Sequence, residues 1–207
     1  MKKKALHKDI YMTVRRTLPR FLSIFFIVIL GVAFYSGIRV TEKDMKITAD
    51  TQFDRTNLMD IKLLGSRGLS EENLQAVKNL SSVSDAEGSY SLDTICRMEG
   101  SNDEYVTKVL AKTERMNQFE ITSGRMPEKE NECLVDENFA KDHHLKNGEK
   151  LILSSGTEEP LNELLTEDHY VITGIGKSSA YLSRERGTTE IGIGKVNGFL
   201  VISPKNF

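Results

Sequence analysis

Hydrophobic positions follow three different patterns along this chain. Between Phe21 and Ile38 they are nearly continuous: FLSIFFIVILGVAFYSGI holds eighteen residues without a charge. A helix of that length measures about 27 Å at ~1.5 Å per residue, close to the hydrocarbon thickness of a bilayer. Upstream, Leu6, Ile10, Val14 and Leu18 recur every four residues, and the opposite face carries Lys8, Asp9, Arg15 and Arg16. That spacing is an apolar stripe on a basic amphipathic helix, suited to the plane of a membrane interface. Pro19 has no N–H for the helical ladder. The pattern therefore predicts an elbow helix over 1–20, a corner at Pro19-Arg20, and a transmembrane helix over 21–38.

Downstream the apolar runs are short. Residues 39–57 are polar with scattered Val40, Met45, Ile47 and Phe53, which reads as an outward continuation of the helix or as a linker. Met59 to Leu64 predicts a strand. Leu69 to Leu80 predicts a helix: Ser70 caps it, Glu71 and Glu72 favour its first turn, and Leu69 and Leu74 can form a hydrophobic staple. Leu74, Val77 and Leu80 would be its buried stripe. Strands follow over Val83–Tyr90, Asp93–Met98 and Tyr105–Lys112, the last two joined by Gly100-Ser101-Asn102-Asp103 turn chemistry. Phe119 to Pro127 reads as a loop. Glu132–Val135, Glu149–Leu153, Tyr170–Ile175 and Gly198–Ile202 read as strands, with a short helix capped by Asp136. Ser178 to Asn197 reads as a long loop. Strands and helices in this order make an α+β domain behind a single membrane anchor.

Charge sets the orientation. The net charge of −2 divides into +6 over residues 1–44 (nine basic, three acidic) and −8 over 45–207 (nineteen basic, twenty-seven acidic). Basic flanks stay in the cytoplasm, so residues 1–20 are cytoplasmic and those after about 39 extracytoplasmic, at a plasma membrane. A cleaved signal peptide fits less well. The apolar run is too long, and the small-x-small site Gly31-Val32-Ala33 falls inside it. An acidic outer domain argues against nucleic acid as a partner. Cys96 and Cys133 are the only cysteines. Their spacing leaves a disulfide open, and buried reduced thiols in strands are the favoured reading.

Several tempting motifs fail on spacing. Gly174-Ile175-Gly176-Lys177-Ser178 lacks the first glycine of a P-loop, with Val171 in its place. Asp142-His143-His144 and Asp168-His169 have no metal-ligand spacing. No Gly-x-Ser-x-Gly elbow occurs, and no Ser or Cys is paired with a base. The chain is read as a non-enzyme without a cofactor.

Residues 121–153, ITSGRMPEKENECLVDENFAKDHHLKNGEKLIL, are similar to a signature of FtsX/MacB-type ABC transporter permeases. The matching positions are Gly124, Arg125 and Pro127 of a Gly-Arg-x-Pro loop, then Glu132, Leu134, Val135 and Ala140. Leu145, Gly148 and Glu149 complete it. HYVITGIGKSSAYLSRERGTT and the region around Arg20–Ile24 and Leu30–Phe34 also resemble the family. The resemblance implies a permease subunit whose partners are an ABC ATPase subunit, a second permease copy or the remainder of the permease, and the lipid bilayer. It implies two outer lobes, a porter-like α+β lobe over 58–118 and a mostly β lobe over 119–207. In that frame Arg125 would clamp a carboxylate or backbone carbonyls between lobes. No second apolar run follows residue 38, so the chain reads as the N-terminal portion of such a permease. The alternative is a single-pass anchored extracellular binding or sensor domain without a transport role.

Overall fold

The computed structural model describes residues 3–65 and 68–207, with side chains described from His7 onward. They fall into two units, one ending at Thr51 and the other beginning at Gln52 and running to Phe207. The first helix, α1 (Lys3–Thr56), is 54 residues long. Within the first unit its side chains from His7 to Thr48 are exposed, including the whole uncharged run. It is the one helix among the described residues long and apolar enough to cross a membrane. Apolar surface of that length without protein neighbours fits a membrane-anchored chain.

α1 runs without interruption through Pro19, where the sequence predicts a corner. Proline removes one backbone donor, while the ladder on either side persists; Ser23 Oγ donates to the Pro19 carbonyl at 2.8 Å. Residues 3–20 and 21–38 are thus one element, and the helix continues through residue 56. Ile10, Val14, Leu18, Arg15, Arg16 and Arg20 are all exposed on it. The Leu6 side chain lies outside the described residues.

The second unit is built on seven strands: β1 (Ser91–Met98), β2 (Tyr105–Ala111), β3 (Phe119–Gly124), β4 (Glu132–Asp136), β5 (Lys150–Ser154), β6 (His169–Ser178) and β7 (Gly198–Ile202). Their order is β3-β6-β4-β7-β2-β1-β5, and β5 also pairs with β6. The sheet therefore closes into a six-stranded barrel with β3 appended. β6 makes this possible by its ten-residue length. One edge pairs in parallel with β4; the other is shared by β5 at His169–Val171 and by β3 at Gly174–Ser178.

Inward-facing residues fill the barrel: Cys96, Val109, Cys133, Val135, Leu151, Tyr170, Ile172, Leu200 and Ile202 belong to one buried cluster. Helix α3 (Glu137–Asp142), capped by Asp136, contributes Phe139 and Ala140 to it. β4 and β7 are buried on both faces. Their outward residues Leu134, Phe199 and Val201 form a second small core with Phe119, Met126 and Tyr181. The segment 179–197 supplies Tyr181, whose ring stacks on Phe199 at 5.4 Å.

Two departures from expectation are linked. Phe119–Gly124 is a strand rather than a loop, because β6 extends far enough to pair with it. Conversely, Met59–Leu64 and Val83–Tyr90 have strand-like composition and no strand partner, so neither is a strand. Between them α2 (Glu71–Lys78) forms with a complete capping box on Ser70 and Asn73. It buries no residue, and Leu80 is exposed rather than buried. The described residues between 58 and 90 are thus an arm beside the barrel. The expected lobe boundary near 118 is replaced by interleaving: β1 and β2 share one sheet with all the strands after 119.

Candidate functional site

The signature residues converge on the middle of β6. Gly124 has φ +76°, a left-handed backbone that favours glycine. A Cβ there would collide with the Thr173 carbonyl, and one at Gly174 with the Arg125 carbonyl. This close crossing lets the Arg125 N–H donate to Thr173 O at 2.9 Å. The second signature turn lands one residue earlier on the same strand: Gly148, with φ +95°, donates its N–H to Ile172 O at 2.7 Å. Asn147 Nδ2 joins the two turns by donating to Ser123 Oγ at 3.0 Å.

The loop between β3 and β4 is closed by Arg125 and Glu132. The guanidinium donates Nη1 and Nη2 to the two Glu132 carboxylate oxygens at 2.8 and 2.7 Å, and Nη1 also reaches the Met126 carbonyl at 2.9 Å. The N–H groups of Glu128 and Lys129 donate to Glu132 Oε2 at 2.9 and 3.2 Å. Glu132 and Pro127 are buried beneath this loop while Arg125 stays exposed. The Arg125 hydrogen bonds, then the Glu128 and Lys129 amides, hold the Glu132 carboxyl down at about 2. The Glu132 hydrogen bond pushes Arg125 above its usual value. A bidentate, charge-assisted pair of this kind fixes geometry as well as adding energy. The carboxylate Arg125 clamps is its own loop's, seven residues away, so it orders one loop rather than bridging lobes.

A second ion pair had no signal in the sequence. Arg186 is 5 % exposed and donates Nε and Nη2 to Asp136 Oδ2 and Oδ1 at 2.6 and 2.9 Å. Its guanidinium lies 5.4 Å from the Tyr181 ring and 5.8 Å from that of Phe199, and also bonds the Ser183 carbonyl. Asp136 meanwhile caps α3 through the Asn138 N–H. The segment that reads as a long loop is therefore strapped to the barrel by a buried charge pair between residues fifty positions apart.

The last turn of α1 is attached to the same region. Thr56 Oγ1 and Ser179 Oγ are 2.9 Å apart, and Arg55 pairs with Glu120 of β3 at 3.0 Å. Thr56 O and Asn57 O accept from the N–H groups of Gln118 and Asn117 at 2.8 and 2.9 Å.

The remaining sequence candidates are dispersed. Gly174 to Ser178 lies inside β6, so its amides are engaged in a strand rather than free to cradle phosphate. His143 lines a cleft of about 630 Å3 with Tyr105, Asp103 and Glu149. Its ring sits 4.1 Å from Tyr105 and 4.6 Å from Phe139, and burial pushes its pKa below the ordinary value. His169 is exposed and hydrogen-bonded to Asp168 at 2.6 Å, which lowers the Asp168 carboxyl. Among the described residues no three His, Cys, Asp or Glu side chains are grouped to hold a metal ion. Cys96 and Cys133 are free and buried, and burial pushes Cys96 to about 12 and Cys133 upward as well.

No protein-family model matches the chain. No curated protein matches it either. Among solved structures it is similar to the extracellular domain of the noncanonic ABC-type transporter YknZ from Gram-positive bacteria. The identity is 8 % and the TM-score 0.42, over 68 % of this chain and 65 % of that one. The chain thus spans 65 % of that structure's length.

Proposed function

We propose that this chain is a membrane-anchored part of an FtsX/MacB-type ABC transporter permease. Its N-terminus faces the cytoplasm and residues after about 39 are extracytoplasmic. A partner ATPase subunit hydrolyses the nucleotide, and α1 carries the resulting motion to the outer domain. A second permease copy, or further permease segments, completes the membrane part. What supports this reading is one observation above others. The residues of the Gly-Arg-x-Pro…Glu…Gly signature, spread over 25 positions from Gly124 to Gly148, join in a single connected knot across β6. Residues that share a pattern because they build one local structure are a stronger sign of kinship than the same residues scattered. The lobes are redrawn on this reading as an outer arm over 58–90 and a barrel over 91–207.

The test is co-purification of the tagged chain from native membranes, with mass spectrometry of what comes with it. Recovery of an ABC ATPase supports the proposal; a stoichiometric complex without one overturns it. The second reading, a single-pass anchored binding or sensor domain without a transport role, predicts the latter result.

A further inference from the structure

The loop that follows β2 does something unusual with its amides. Five consecutive N–H groups, from Glu114 to Gln118, all donate to atoms outside the loop. The first three converge on one carboxylate: Glu114 N–H reaches Glu87 Oε1 at 2.7 Å, and the Arg115 and Met116 N–H groups reach Glu87 Oε2 at 3.2 and 2.8 Å. Successive backbone donors pointing into one concavity make an anion nest, here filled by the chain's own glutamate. The next two, Asn117 and Gln118, donate to the last carbonyls of the α1 region, Asn57 O and Thr56 O. One short loop therefore holds the end of the helix and the end of the arm at once.

The side chains repeat this division. Asn57 Nδ2 donates to Arg115 O at 2.9 Å, and Arg115 pairs with Asp85 of the arm at 2.9 Å. Asn117 Oδ1 accepts from the Met59 N–H at 3.0 Å, where the arm begins. Both ends of the arm thus return to the same loop, while α2 between them buries nothing. Apolar side chains along the arm remain exposed: Ile61 by 77 %, Leu64 by 78 % and Leu80 by 54 %. Polar contacts at both roots therefore hold the arm, with Leu58, Met59, Leu74, Val77 and Val83 half-buried along it.

We propose that residues 113–118 form a two-state clasp in which the end of α1 and the arm 58–90 are coupled. With Glu87 in the nest the arm is fixed against the barrel. When the α1 end shifts, the Asn117 and Gln118 bonds turn the loop, the nest opens, and the arm is released. The device belongs to this fold and does not require that the chain be a transporter subunit.

The experiment uses the whole chain in nanodiscs with spin labels at Ala76→Cys on α2 and Lys150→Cys on strand β5 of the barrel. Cys96 and Cys133 are buried and take no label under native conditions. The native background is expected to give one narrow distance distribution. Glu87→Ala is expected to broaden it or add a second population, with barrel melting unchanged. Asn57→Gly is compatible with the left-handed backbone at that position (φ 46°) and removes the side-chain bond to Arg115 O. It is expected to shift the distribution the same way. If Glu87→Ala fails to fold, Glu87→Gln keeps one acceptor oxygen and is expected to give an intermediate broadening. An unchanged distribution in the Glu87 variant that folds overturns the clasp. An unchanged distribution in Asn57→Gly overturns its coupling to α1.

Discussion

The barrel and the arm begin from similar local signals and end in different physical states. Both have strand-like runs and a helix with good capping chemistry. The difference lies in what the runs find. Val109, Val135, Leu200 and Ile202 sit in strands with partners on both sides and are fully buried. Ile61, Leu63 and Leu64 occupy an equally apolar run, have no partner strand, and remain exposed. Local propensity proposes an element; burial against a neighbour is what makes it a strand or a packed helix. Substitutions should therefore be costly in the barrel and nearly silent for folding in the arm.

The widest gap is expected at Arg186. Arg186→Ala leaves Asp136 buried without its counter-charge, and breaking a buried pair in this way costs about 3–5 kcal/mol. Urea titration of the chain in detergent, followed by near-UV dichroism of the barrel tyrosines, reads the loss directly. Adding Asp136→Asn removes the stranded charge and should recover part of the stability. Full recovery would show the strap needs no charge pair at all.

The next contrast uses glycine. Gly124→Ala forces a side chain into a left-handed backbone and against the Thr173 carbonyl, and should cost roughly 2–3 kcal/mol as the β3–β6 crossing opens. Gly68→Ala in the arm has the same backbone sign with open space around it. It should cost only about 1 kcal/mol, and only to the arm. Equal barrel melting shifts for the two would mean that the crossing on β6 does not need its close approach.

Legibility followed the same divide. The anchor was plain because eighteen uncharged residues need no partner to be recognised. β7 was readable at both ends, and Ser70 and Asp136 both cap as their types suggest. β3 was hidden because its existence depends on the length of β6, fifty residues away. Barrel closure was hidden for the same reason: no local pattern says that β5 will pair with both β1 and β6. Arg125 and Glu132 were visible as a pattern, since both stand within one short motif. Arg186 was not, because its partner is remote and an arginine in a Ser- and Gly-rich stretch ordinarily reads as solvated. Glu87 escaped for a related reason: the nest that holds it is made of backbone amides, which every sequence has.

Acid provides a finer comparison within the barrel. Glu132 has its folded value held at about 2 against an ordinary 4.5, so its unfolded form binds the proton first. The stability it contributes is fully present above about 4.5 and is lost as pH falls through the window down to about 2. Urea midpoints measured from neutral pH downward should fall across that window, and Glu132→Gln should flatten the slope there while lowering the neutral-pH plateau. A slope unchanged by Glu132→Gln would assign the acid sensitivity to other carboxylates.

The smallest expected effect lies in the arm, and it is informative because it is small. Leu63→Ser and Leu80→Ser replace apolar side chains that are 56 % and 54 % exposed. Neither leaves a large cavity, and neither buries an unsatisfied group. Changes of this kind fall within about 0.5 kcal/mol of the parent. Barrel melting should therefore be unmoved in the isolated chain. If the arm meets another surface in the membrane, the same substitutions should weaken that association while leaving the melt alone. A fall in barrel stability comparable to that of Gly124→Ala would instead mean that these leucines pack against the barrel, and the distinction drawn between the two regions would be wrong.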